Sequence, residues 1–257
     1  MIELSIANPE RSQRTLSGAT ETSVAPLLNV SGLSVSYDQF RALSDIDFEV
    51  GAGEIVAVIG ANGAGKSTLL KSLIGQSGSM AGHMRFGGKD IIGQSTAQTI
   101  ASGIALVPEG RRLFPSLTVD ENLYLGWETG SRKGMTLDGL YSEFPLLAAM
   151  KNRRAGHLSG GQQQLVAFGR ALLANPKLLL CDEISLGLAP KIVDQLYEHI
   201  PRIRAQGTAI VIVEQDVSRA LRISDRFYCL LEGEVSLSGK SRDTSREAVT
   251  HAYFGSH

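Results

Sequence analysis

An α/β fold, with a mainly parallel sheet and a helical insertion, is what three features of this chain predict. Short apolar runs such as "EIVAVIG", "KLLLCD" and "TAIVIVE" have the texture of strands covered on both faces. Segments of helical pattern separate them, and that alternation sets the strands side by side and parallel. From Arg111 to about Asn175 the alternation stops: this stretch is mostly helical in pattern and interrupts the sheet.

The elements follow in order from local pattern. From Leu27, "LLNVSGLSVSY" and "ALSDIDFEV" alternate apolar and polar residues as half-buried strands do. "EIVAVIG" leads into a helix from about Lys66 to Ile74, then a strand in "AGHMRFGG", a helix near Ser95–Ser102 and the buried strand "GIALVP". In the insertion, "TVDENL" is a capping box, with Thr118 as N-cap and Glu121 three residues on. Pro176 closes that segment. Then come "KLLLCD" as a strand, "APKIVDQLYEHI" as a helix with Pro190 in its first turn, "TAIVIVE" as a strand and "DVSRALRIS" as a helix. Pro201 falls inside a helical pattern and is expected to kink or end it. Two short strands, "RFYCLLEG" and "EVSLSG", precede a last helix near Glu247. The chain divides into a polar N-terminal extension at 1–26, a first core segment at 27–109, a helical subdomain at 110–175 and a second core segment at 176–257.

Composition narrows the function. The 257 residues can bury one substantial core. With 25 basic and 26 acidic residues the formal net charge is −1, which argues against a generic nucleic-acid binder and its usual basic excess. The two cysteines, Cys181 and Cys229, lie in strand-like stretches and form neither a disulfide framework nor a metal-ligand spacing. A reducing cytosol is therefore expected. No apolar run approaches the roughly 18 residues that cross a bilayer. Work at a membrane is expected to proceed from the cytosolic side, through a partner.

"GANGAGKST" fits G-x-x-x-x-G-K-[ST] from Gly60 to Ser67, directly after a buried strand and opening a helix. Around Asn62, Gly63, Ala64 and Gly65 the backbone N–H groups can converge on phosphate oxygens, and the helix start, with Thr68, adds partial positive charge. Lys66 would reach the β- and γ-phosphates, and the Ser67 hydroxyl would ligate Mg²⁺. The blander alternative is a glycine turn between strand and helix. "LLLCDE" places Asp182 and Glu183 at the end of a buried strand, where such sheets hold ligands. Asp182 can hold Mg²⁺ through water and Glu183 can polarise an attacking water; the alternative, a solvated strand end, is common in general but weak beside a phosphate loop.

A second glycine-rich stretch, "HLSGGQQQLV", has no lysine and no nucleophile. Capping explains Ser159 and Gln162, in S-x-x-Q spacing, but not Gly160 and Gly161. Two glycines in a first helical turn cost stability, roughly 1 kcal/mol each against alanine in a helix interior. A helix start stripped of side chains suits an anion, and the first loop already serves the chain's own nucleotide. The second loop is therefore expected to serve an ATP held by a different chain.

In that order, "GANGAGKS", "LSGGQ" and "LLLCDE" resemble the nucleotide-binding subunit of an ATP-binding-cassette (ABC) transporter, and the likeness covers nearly everything from Leu27 onward. The resemblance implies a P-loop NTPase (RecA-like) core with a small antiparallel β subdomain and an inserted helical subdomain. It also implies head-to-tail pairing, each ATP lying between one subunit's phosphate loop and the other's LSGGQ. "ALVPEGRRLFPSLTVDENLYLG", "SLGLAP" and "VEQ" are similar to one ATPase of the branched-chain amino-acid importers. That implies a second ABC ATPase (a heterodimer, or a homodimer), two membrane-spanning permease subunits, indirectly a periplasmic solute-binding protein, and a place on the cytoplasmic face of the inner membrane. Nucleic acid is not among the expected partners. By the same resemblance Tyr37 would stack on adenine; a strand tyrosine alone is more often packing, but its position ahead of the phosphate loop favours the ligand role.

Several positions depart from the general family pattern. Glu109 stands where most members carry glutamine; it is assigned to the nucleotide and Mg²⁺ site, the alternative being a solvated loop acid. Gln215 stands where most carry histidine; its amide can donate to a γ-phosphate oxygen but cannot become charged, so hydrolysis is expected to lack a histidine-like titration step near neutral pH. Leu188 replaces an aspartate that helps couple the two sites, and Ile184 replaces a proline. These departures keep an ATP-holding regulatory subunit open as the alternative to an ATPase, as is import of an amide or small organic acid. A soluble repair or translation ATPase fits less well, since neither long coiled coils nor a second cassette occurs. The clusters "GRR" (Arg111, Arg112) and "KNRR" (Lys151 to Arg154) read as solvated surface, the weaker alternative being contact with acidic groups on a membrane partner.

Overall fold

The structure, a computed structural model, describes residues 25–131 and 134–254. The extension expected at 1–26 lies outside the described residues except for Ala25 and Pro26. In chain order come strands β1 (Leu28–Tyr37), β2 (Phe40–Val50) and β3 (Ile55–Gly60), helix α1 (Lys66–Leu73), strands β4 (Ser79–Phe86) and β5 (Lys89–Asp90), helix α2 (Thr96–Ser102) and strand β6 (Ile104–Val107). Helices α3 (Val119–Thr129), α4 (Leu137–Glu143), α5 (Pro145–Ala149) and α6 (Gly160–Leu173) follow. The chain continues with β7 (Leu178–Asp182), α7 (Pro190–Ala205), β8 (Ala209–Glu214), α8 (Val217–Ile223), β9 (Arg226–Leu231), β10 (Glu234–Lys240) and α9 (Arg246–Phe254).

The larger sheet has the order β10-β9-β3-β8-β7-β6, parallel throughout except for the β9–β10 pair. Every residue of β3, β7 and β8 is buried, which is why these runs are apolar without alternation. Their side chains still point alternately to opposite faces. Leu178, Leu180, Val211 and Val213 share one core with the second sheet, while Leu179, Cys181, Ile210 and Ile212 share another with the helical insertion. The second sheet, β2-β1-β4-β5, is antiparallel. In β1, Leu28, Val30, Leu33 and Val35 are buried while Asn29, Ser34 and Ser36 are not, the alternation visible in the sequence.

Complete capping boxes start three helices: Ser95 with Gln98 for α2, Thr118 with Glu121 for α3, and Ser159 with Gln162 for α6. Pro201 departs from one of its two expected outcomes. It does not end its helix, since α7 runs through it to Ala205. Ile200 and Ile203, 0% and 3% exposed, seat the turns on either side in the core, and that burial offsets the missing backbone hydrogen bond.

Candidate active site

Sheet order assembles the site. Because β3, β8, β7 and β6 are adjacent and parallel, their carboxyl ends lie in a row. That row brings together the loop after Gly60, then Gln215, then Asp182 and Glu183, with Glu109 two residues beyond β6. Ligands of open parallel sheets sit at this edge.

The phosphate loop is tightly confined. Gly65 has φ +103°, and a Cβ there would lie 2.6 Å from Leu43 Cδ2; one on Gly60 would lie 2.5 Å from the Leu230 carbonyl oxygen. Only glycine meets both demands. Lys66 is 4% exposed, and its Nζ donates to the carbonyls of Gly60 (2.9 Å) and Ala61 (3.0 Å) while lying 3.3 Å from Glu183 Oε1. The loop thus aims its ammonium at the carboxylate across the strand ends.

Ser67 Oγ donates to Asp182 Oδ1 at 3.0 Å. Burial pushes the Asp182 carboxyl above the usual aspartate range, the Ser67 bond opposes this, and the charges of Glu109 and Glu183 add to the rise. A hydroxyl and a carboxylate converging from α1 and β7 suit a small, hard cation that keeps several waters, as Mg²⁺ does. Among the described residues no group of three or more His, Cys, Asp and Glu gathers, so a softer or all-protein metal site has no support there.

Gln215 Nε2 donates to Glu183 Oε2 (2.7 Å) and to Asn62 Oδ1 (3.1 Å). Lys66, Glu183, Gln215 and Asn62 therefore form one continuous polar chain around the loop. Glu183 itself has φ +47°, in the left-handed region, where a non-glycine residue is uncommon. A cleft of about 550 Å³ opens over this chain, lined also by Tyr37, Phe40, Ala42 and Glu109. Glu109 also borders a second cavity of about 260 Å³, with Asp182, Arg112 and Arg170 on its walls, so it stands between the two spaces.

Of the residues singled out in the sequence, Tyr37, Asn62, Gly63, Gly65, Lys66, Ser67, Thr68, Glu109, Glu183 and Gln215 meet on one cleft. Gly60 and Ala64 belong to the loop without lining the cleft, and Asp182 is bonded to Ser67. Ser159, Gly160, Gly161 and Gln162 do not line that cleft; they begin α6, with Ser159 and Gln162 bonded to each other. Within the chain the nearest groups to the two glycines are side chains, which can give way. A Cβ on Gly160 would lie 2.8 Å from Arg111 Nη2, and one on Gly161 would lie 3.2 Å from Ile192.

Arg111 corrects the surface reading of its cluster. It is half-buried, lies against Gly160 and donates to Gln163 Oε1 at 3.3 Å, while Arg112 is exposed. Sequence reasoning also missed Phe40 and Leu186, exposed apolar residues on the cleft. Phe40 opens β2 directly across from Tyr37, and that pairing is the signal that could have found it. Ile184 is fully buried, as local packing requires, and Leu188 packs partly against the same core.

Comparison with known proteins agrees with this geometry. The family model described as "ABC transporter" matches residues 43–185. The high-affinity branched-chain amino acid transport ATP-binding protein BraG of Pseudomonas aeruginosa is 42% identical over 236 residues, covering 89% of this chain and 100% of BraG. The probable branched-chain amino acid transport ATP-binding protein LivF of Archaeoglobus fulgidus is 35% identical, over 89% of this chain and 96% of LivF. Among solved structures, an ATP-binding cassette of an ABC transporter in its ADP conformation matches with a TM-score of 0.76 at 28% identity, over 91% of this chain and 100% of that one. A dimeric cassette bound to ADP and Pi matches with a TM-score of 0.75 at 26% identity, over 84% of this chain and 99% of that one.

Proposed function

The chain belongs to the ABC transporter family of ATP-binding proteins, and from that premise we propose that it energises uptake of branched-chain amino acids through separate membrane-spanning subunits. It is an ATPase. The observation that carries the reading to this chain is the polar chain Lys66–Glu183–Gln215–Asn62 on a cleft that Tyr37 and Phe40 also line. In this reading Tyr37, with Phe40, packs on the base, the loop from Gly60 to Thr68 holds the phosphates, and Lys66 turns from Glu183 toward the β- and γ-phosphates.

Ser67 and Asp182, with Glu109 nearby, would hold Mg²⁺, and the ion would supply charge neutralisation for the phosphates. Glu183 takes the proton of the attacking water. Gln215 orients that carboxylate and donates to the γ-phosphate, a role an uncharged amide can fill. Ser159 to Gln162 meet the ATP of a second ATPase subunit, a different chain by analogy with the importers, and a solute-capturing protein delivers the cargo. No helix among the described residues is long and apolar enough to cross a membrane. In this reading attachment runs through the permease subunits at the cytoplasmic face.

Glu183→Gln tests the chemistry: ATP binding stays near wild type while turnover falls by about 100-fold or more, the scale at which removing a catalytic base acts. Normal hydrolysis by that variant removes Glu183 from the role of base. Uptake of labelled leucine, isoleucine and valine by cells lacking the chain tests the cargo. Loss of uptake, restored by the wild-type chain and not by Glu183→Gln, is expected; unchanged uptake of all three overturns the solute class.

A further inference from the structure

Gln215 is an unusual residue to hold still. It borders the nucleotide cleft on one side and a separate cavity of about 210 Å³ on the other, so packing alone does not aim its amide. Its sequence neighbours are both anchored. Asp216 caps α8, its Oδ1 accepting the Arg219 backbone N–H at 3.1 Å. Glu214, the last residue of β8, is 2% exposed in a strand otherwise made of Ala, Ile and Val.

A buried carboxylate at the end of an apolar strand is costly, and an apolar residue of similar size would fill the space with less penalty. Glu214 is compensated by groups from two different helices. The Tyr197 hydroxyl, from α7, donates to Glu214 Oε1. Arg219, from α8, places Nη1 3.9 Å from Glu214 Oε2 and its guanidinium carbon 5.5 Å from the centre of the Tyr197 ring. Burial, with the Glu214 charge and hydrogen bond added, pushes the Tyr197 phenol far up, so it stays a donor across the working pH range.

We propose that Tyr197 and Glu214, together with Arg219, are positioning residues that fix the end of β8 so that the Gln215 amide spans Glu183 and Asn62. The inference rests on the reading of Gln215 as a participant in hydrolysis. Neither Tyr197 nor Glu214 lines the nucleotide cleft, so both act through Gln215 rather than on ATP. The expected signature is a loss in turnover without a loss in substrate affinity.

The test is ATP hydrolysis by the full chain, at concentrations where the specific rate no longer changes with dilution, with kcat counted per chain that binds a fluorescent ATP analogue. Counting in that way removes any misfolded fraction. Tyr197→Phe is expected to lower kcat about five- to tenfold and to leave KM for ATP within about twofold. Glu214→Gln keeps an acceptor for the phenol and is expected to retain most of the rate, whereas Glu214→Leu is not. Gln215→Ala is expected to lower kcat at least as far as Tyr197→Phe, and adding Tyr197→Phe to it to change nothing more, because two residues acting through one step are not additive. A wild-type kcat in Tyr197→Phe, a raised KM in place of a lowered kcat, or multiplying effects in the double variant overturns the positioning role alone. A wild-type kcat in Gln215→Ala overturns the reading of Gln215 and this inference with it.

Discussion

In the proposed site Asp182 serves two ends that pull its carboxyl in opposite directions. Burial and the neighbouring Glu109 and Glu183 charges favour its protonated form, while cation binding requires the ionised one. Its pKa is raised in the folded chain, so between the ordinary aspartate range and that raised value the folded state binds more protons than the unfolded one. The stability contributed by Asp182 is therefore complete below the unfolded value and lost as pH rises through the folded one. At neutral pH the ionised side chain is a net cost that a bound cation relieves. Asp182→Asn keeps an acceptor for Ser67 and removes that cost. Without nucleotide or magnesium, its thermal midpoint at pH 7 is expected to exceed the wild type by a few degrees, with the gap closing as pH falls into the aspartate range. Magnesium-dependent hydrolysis is expected to collapse in the same variant. A midpoint below wild type at pH 7 contradicts this account of the carboxyl.

Helices α3 and α6 carry the element-scale argument, since the subdomain holding the signature loop depends on their close approach. A Cβ on Gly126 would fall 2.1 Å from the Arg170 carbonyl oxygen, and one on Gly130 would fall 2.4 Å from Ala174 Cα. Both neighbours are backbone, which cannot step aside as a flexible side chain can. Gly126→Ala is expected to destabilise the chain by about 1–3 kcal/mol, the usual cost of overpacking. Gly139, in α4, is the control: its Cβ would meet Thr136 Oγ1 at an ordinary 3.4 Å, so Gly139→Ala is expected to be neutral or to stabilise by up to about 1 kcal/mol. Urea midpoints of the two variants decide the point, and equal midpoints would show that helix contact is not the reason for Gly126.

This contrast also marks what could be read in advance. Strand alternation in β1, the apolar runs of β3, β7 and β8, and the boxes at Thr118 and Ser159 are signals a few residues long, and the sequence displays them directly. So are Lys66, Ser67, Asp182 and Glu183, which follow from one loop and one strand end. What stayed hidden depends on residues far apart in the chain. Arg111 meets Gly160 across 49 positions of sequence, Tyr197 meets Glu214 only through the packing of α7 on the sheet, and Pro201 survives because Ile200 and Ile203 are buried. No local pattern encodes such contacts. Charge clusters mislead most, since Arg111 and Arg112 look alike in sequence and differ in the fold.

At the scale of the whole molecule, the signature residues Ser159–Gln162 form no part of the cleft that holds Lys66, Glu183 and Gln215. Yet they begin a helix of 14 residues whose first turn carries no acidic side chain, a favourable setting for a phosphate. If, as proposed, the cleft holds ATP and this helix start meets a phosphate, two chains can complete each other's sites. Hydrolysis then depends on an encounter between ATPase subunits. At saturating ATP, the rate per chain is expected to rise with subunit concentration and to level off once pairing is complete; well below that point the total rate should follow the square of the concentration. Glu183→Gln, which keeps ATP without turning it over, should run at twice the monomer mass by light scattering when ATP is present and at monomer mass when it is absent. If this chain pairs only with a different ATPase, the same dependence appears on titrating that subunit. A rate per chain that stays constant through dilution to nanomolar levels, with no partner present, would mean that one cleft suffices and that the signature serves only to cap α6.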